Sequence, residues 1–96
     1  MSSQNEKTLR QAIDEAFSLQ NLKRKVAETR IVTAWEKISG KLIARHTRRL
    51  FIRNATLFIY LDNPALKNEL TFCRNQIIEL VNAYAGENLI QEVIVK

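Results

Sequence analysis

The strongest constraint on the fold is a change of hydrophobic period near the middle of the chain. From Arg48 to Arg53, and again from Thr56 to Asp62, side chains sort into two sets at alternate positions. A period of two belongs to a β-strand, whose successive side chains point to opposite faces. The two runs are separated by Asn54-Ala55, so they read as a hairpin. Asn tolerates the positive φ of a tight turn, but Ala suits it less well than Gly. The pair therefore predicts a connection longer than two residues. Pairing across Asn54-Ala55 sets Phe51 against Phe58 and Arg49 against Tyr60, with Arg53 on the same face. The other face carries Leu50, Ile52, Leu57, Ile59 and Leu61, an aliphatic set that has to be covered.

The cover comes from segments of helical period on either side. Leu9, Ile13, Ala16 and Phe17 recur at three- and four-residue spacing, which predicts a first helix from Thr8. A second helix is expected from about Leu22 to Ile38, capped by Asn21 and stopped at Gly40. The stretch Lys41–Thr47 is open between a helical turn and an extended entry to the hairpin. Asn63-Pro64 opens a third helix, because Asn caps and Pro suits a first helical position that needs no donor. Its stripe of Leu66, Leu70, Cys73, Ile77, Val81 and Tyr84 runs to Gly86. Leu89 to Val95 is rich in β-branched residues and reads as a last strand. The order is α-α-β-β-α-β. The expected fold class is α+β, with a three-stranded sheet and helices on one face. The 96 residues make one domain, with residues 1–7 expected to fray.

Charge narrows the function. Fifteen Lys and Arg against ten Asp and Glu give a net charge of +5. Such a surplus favours an anionic partner. Lys23, Arg24 and Lys25 cluster at the start of the predicted second helix, and Arg30 follows on it. Between Lys41 and Arg53 stand Lys41, Arg45, Arg48, Arg49 and Arg53, with no acidic residue among them. Together these nine are candidate phosphate contacts, and binding through them would weaken steeply with salt. Phe51, Phe58 and Tyr60 beside arginines suit single-stranded nucleic acid, because bases stack on rings while cations track the backbone. The competing reading covers those rings with the first helix or with a partner chain. Trp35 reads most simply as a core anchor, and His46 as a structural hydrogen bond or a contact.

Nothing in the sequence points to an enzyme. There is one His and one Cys, too few for a protein-only zinc site. No phosphate loop, dinucleotide fingerprint, nucleophile elbow or HExxH pair occurs. No cofactor and no metal are expected. A lone Cys73 fits a reducing compartment, and no apolar run reaches the ~20 residues that span a bilayer. A cytoplasmic protein with no membrane partner is expected.

The stretch Trp35-Glu36-Lys37-Ile38-Ser39-Gly40-Lys41-Leu42-Ile43-Ala44-Arg45-His46-Thr47 resembles the W-x-x-(I/V)-x-G-x-x-(I/L)-A-x-H-(T/S) signature of bacterial DciA-type proteins, long catalogued as a domain of unknown function. Leu57-Phe58-Ile59-Tyr60-Leu61 resembles the family's L-x-V-x-V strand. Leu66 and Glu69-Leu70, leading into Ile77, Leu80 and Asn82, resemble its third helix, although many members have Trp where this chain has Leu66. The family tends to have Gly at the hairpin, where this chain has Asn54-Ala55. The resemblance runs from Thr8 to Val95. It implies a domain similar to K-homology folds that acts in bacterial replication initiation, binding DNA and recruiting or helping to load the replicative helicase. Members are often longer, with a disordered tail that these 96 residues do not contain. The GxxG loop by which K-homology domains clamp nucleic acid is absent here. The alternative is a protein-interaction module without relevant nucleic-acid affinity, in which Phe51, Phe58 and Tyr60 form a homodimer or partner patch.

Overall fold

The computed structural model describes residues 8–96; the expected frayed stretch, residues 1–7, lies outside the described residues. The elements are α1 (Leu9–Thr33), α2 (Trp35–Ser39), α3 (Lys41–His46), β1 (Thr47–Arg53), β2 (Thr56–Leu61), α4 (Pro64–Phe72), α5 (Arg74–Ala85) and β3 (Glu92–Val95). The sheet order is β1-β2-β3. β1 and β2 are antiparallel, and β2 and β3 are parallel. A parallel neighbour needs a long crossover, which α4 and α5 supply. This is the expected α+β architecture.

The hairpin register is the expected one: Phe51 pairs with Phe58 and Arg49 with Tyr60. The connection, however, is shorter than predicted. It is a two-residue turn in which Asn54 and Ala55 both have positive φ, 51° and 58°. Two positive angles match the twist of the flanking strands, and that match outweighs the poor fit of Ala. The Ala55 carbonyl is also used, accepting the N–H of Gln91 at 2.7 Å.

Two helical boundaries differ from the sequence reading. The break before Leu22, with Asn21 as its cap, does not occur; α1 runs unbroken to Thr33. The real cap is Thr8. Its hydroxyl accepts the Gln11 N–H at 3.1 Å, and the Gln11 side chain accepts the Thr8 N–H at 3.0 Å. With no Gly or Pro before Gly40, extending a nucleated helix through Asn21 costs roughly 0.7 kcal/mol at most. The chain breaks instead at Ala34, whose φ of −95° and ψ of 12° leave the helical well. Gly40 ends α2 as expected, at φ 92°, and α3 begins directly after it, so Lys41–His46 is helical. The long third helix is two helices. Cys73, at φ −107° and ψ 18°, separates α4 from α5 and sits half-buried at the joint. The apolar stripe reads through this kink because Leu70 and Ile77 both still face the core. The last strand starts at Glu92 rather than Leu89; Leu89 and Ile90 are buried in the loop before it.

The core lies on one side of the sheet. Leu57 and Ile59 of β2 are wholly buried there with Val93 of β3, against Ile31, Trp35, Leu70, Ile77 and Val81. Asn82 ties the β3 approach to α5. Its side chain accepts the Ile90 N–H at 2.9 Å and donates to the Ile90 carbonyl at 3.0 Å. Asn63 caps α4 by accepting the Leu66 N–H, and Gly86 closes α5 in the left-handed region.

Candidate nucleic-acid interface

Strand alternation sends every second residue of the hairpin away from the core. Arg49, Phe51 and Arg53 of β1 and Phe58 and Tyr60 of β2 therefore share the opposite face, and Ile94 of β3 lies beside Phe58. The rings of Phe51 and Phe58 stack at 4.7 Å between centroids, inclined by 13°. Tyr60 lies 6.1 Å from Phe51, at 22°. The Arg49 guanidinium sits 4.8 Å from the Phe51 ring and 5.8 Å from the Tyr60 ring, while that of Arg53 is 5.7 Å from Phe51. Each cation is thus held by ring quadrupoles rather than by a carboxylate, which leaves its charge available to an anion. The three rings are half-buried and both arginines exposed. The first helix reaches this face at Phe51, beside Lys25, Glu28, Thr29 and Val32.

The helical basic cluster reaches this face at one point. Lys25 of α1 shares a groove of about 370 Å³ with Glu28, Thr29, Val32, Phe51 and Ile52. Burial pushes the Glu28 carboxyl up from its ordinary value, against the opposing pull of Arg24 and Lys25. The groove therefore continues the ring–arginine face onto α1 with a lysine on its wall.

The other predicted contacts do not converge there. Lys23 and Arg24 are exposed on α1. Arg30 lines a second groove with Lys37 and Tyr84, which shares Lys25 and Thr29 with the first. Lys41 and Arg45 lie on α3, around a shallow depression with Glu36 and Leu42. Arg48 pairs with Asp62. That pairing was not visible in the sequence, although the register that sets Thr47 opposite Leu61 brings Asp62 next to the α3–β1 junction. Asp62 also accepts from or pairs with His46, Nδ1 to Oδ1 at 2.8 Å, and its N–H donates to the His46 carbonyl at 3.1 Å. The His46 hydrogen bond, with Arg48 beside it, holds the Asp62 carboxyl below its ordinary value. His46 is thus a clip between α3 and the end of β2.

Trp35 is likewise structural. It is 6% exposed, and its indole N–H donates to the Thr47 hydroxyl at 3.1 Å. Thr47 in turn donates to the Ile43 carbonyl at 2.7 Å. The Trp, Ala, His and Thr of the signature therefore fasten α2 and α3 to the start of β1, which aims the alternation that follows.

Among the described residues, no group of three or more His, Cys, Asp or Glu could hold a metal, and no helix is long and apolar enough to cross a membrane.

Fold and site together define a small basic α+β domain whose sheet face away from the core mixes rings with cations. The family model described as "Dna[CI] antecedent, DciA" matches residues 8–95. The chain belongs to the DciA family, and that membership is consistent with a role related to replication. A UPF0232 protein of Corynebacterium glutamicum (strain R) is 33% identical over 63 residues, which cover 66% of this chain and 35% of that protein. The match thus spans about a third of the length of that relative.

Proposed function

We propose that this protein is a non-catalytic DNA-binding accessory of bacterial replication initiation, working in the cytoplasm, that recruits or helps load the replicative helicase. The observation that carries the DNA-binding part is the sheet face of Arg49, Phe51, Arg53, Phe58 and Tyr60, joined to Lys25 through one groove. Rings offer edges and end faces to bases, while the two guanidiniums and the lysine meet phosphates. Lys23, Arg24, Arg30, Lys41 and Arg45 add a wider field that draws the polyanion in. The helicase part rests on the family resemblance of the Trp35–Thr47 signature. Arg48 contributes less, because Asp62 already answers its charge.

A direct test titrates labelled single- and double-stranded DNA at two salt concentrations. The expected result is binding that weakens steeply with salt and favours the single strand. No binding at low salt, or binding indifferent to salt, contradicts the DNA reading. A pull-down against the host's replicative helicase tests the second half separately. The half-buried Phe51–Phe58 pair also supports a second reading, a protein-docking patch with no nucleic-acid role. DNA binding unaffected by Phe58→Asp, with loss of a captured partner, would favour it.

A further inference from the structure

The second groove lies on the other flank of α1 from the sheet. It is about 680 Å³ in volume and opens where α1, α2 and α5 meet, with Lys25 and Arg30, Lys37 and Tyr84 on its walls. Helical geometry explains why it shares Lys25 and Thr29 with the groove beside Phe51. At ~100° per residue, Thr29 stands ~160° round the axis from the wholly buried Ile31, so it faces outward. Glu28 and Val32 fall to one side of it, towards β1. Arg30 and Thr33 fall to the other, towards α5. Lys25, one turn before Thr29, stands on the crest between the two grooves.

The grooves are chemically alike. Each sets an aromatic ring beside cations, Phe51 in one and Tyr84 in the other. No carboxylate lines the second groove, and Glu28 is the one carboxylate lining the first. Among the described residues, no ion pair engages Lys25, Arg30 or Lys37. Arg30 and Lys37 are exposed, and Tyr84 is 40% exposed. The Thr29 hydroxyl donates to the Lys25 carbonyl at 2.9 Å, so the donor left for a phosphate at the crest is the lysine ammonium.

We propose that a single strand bound on the ring–arginine face continues over α1 at Lys25 into the second groove, where Tyr84 stacks a further base and Arg30 and Lys37 meet the phosphates beside it. This rests on the DNA reading above and specifies its ligand. The strand has to bend round a helix ~10–12 Å across, which a flexible single strand does readily. A duplex, with a persistence length of ~150 base pairs, is too stiff to enter both grooves. An acidic protein segment would also suit three cations, but the shared wall and the ring on each side of it favour one continuous strand.

Binding of the full chain to oligothymidylates of ~4 to ~16 nucleotides tests the path. Wild-type affinity is expected to rise in two stages, as the sheet face fills and then as the strand crosses α1. Arg30→Gln with Lys37→Gln should leave the shortest oligomers bound nearly as tightly as before, which also shows that the domain is folded. On the longest, the pair should lose about tenfold or more, with the salt slope falling by about 1.4. Tyr84→Ala should cost the long oligomers about tenfold and the short ones nothing. Failure of every length to bind overturns the DNA reading and the path together. Short oligomers that bind, with no gain from length beyond the added registers, overturn the path alone. So does a variant pair that weakens short and long alike, or a duplex that loses as much as the long single strand. Long-strand binding unchanged in the pair, with capture of the replicative helicase lost, assigns the groove to an acidic protein segment instead.

Discussion

Alternate residues of β2 meet different surroundings. Leu57 and Ile59 are wholly buried in the core beneath the helices, whereas Phe58 and Tyr60, one step along, are half-buried on the other face. The backbone treats the two sets alike; only the pleat separates them. A strand can thus spend one set on stability and leave the other for contact. The aromatic set is not idle in the fold, since Phe51 and Phe58 stack across the strands. Its worth there is modest, about 0.5–1.5 kcal/mol beyond area burial for such a pair.

The largest effect expected from this contrast is on the covered face. Leu57→Ala should cost about 2–5 kcal/mol of unfolding free energy in a urea melt, yet leave DNA affinity unchanged for the fraction that remains folded. Phe58→Ala should do the reverse in emphasis. It should weaken single-strand binding by about tenfold or more, in line with roughly 1–3 kcal/mol per stacked base, at a smaller cost in stability. Equal effects of the two variants on both readouts would erase the distinction between the faces.

A third variant touches neither face. Ala55 holds φ at 58°, where a β-carbon is crowded, so Ala55→Gly should stabilise the hairpin by about 1 kcal/mol and leave binding untouched. The smallest expected effect is at Asp62. Its folded pKa lies below the unfolded value, so its ionised form supports the fold above the unfolded value. That support is lost as pH falls through the lowered folded value. The stability gap between wild type and Asp62→Asn should therefore narrow below about pH 4. A gap that widens on acidification would contradict the clip assigned to His46, Arg48 and Asp62.

The contrast between faces was legible in the sequence because a period of two leaves no freedom once the turn position is known. Phe51 against Phe58 follows from Asn54-Ala55 alone. Local caps were legible for the same reason: Asn63 and Pro64 act within one turn of each other. What failed were inferences from weak local preference against a cooperative element. Asn21 favours caps, but a helix already nucleated at Thr8 passes through it. Cys73 marks a kink with no residue type to announce it, and the apolar stripe continues across the joint. In the site, strand alternation alone set Arg49 and Arg53 among the nine cations on the face of the rings. The structure adds that both guanidiniums stand over rings and that Arg48 is instead held by Asp62. The roles of Trp35 and His46 were likewise undecided until their partners, Thr47 and Asp62, were seen.

The central claim is that the ring–arginine face, and not basic charge in general, is where DNA binds. It is tested most directly by removing the same charge in two places. Single-strand affinity and its salt dependence would be measured for Arg49→Gln with Arg53→Gln, and for Lys41→Gln with Arg45→Gln. Each pair removes two positive charges from exposed positions. The account predicts a much larger loss for the sheet pair, with the salt slope falling by about 1.4. Equal losses, or a larger loss for the α3 pair, would contradict it.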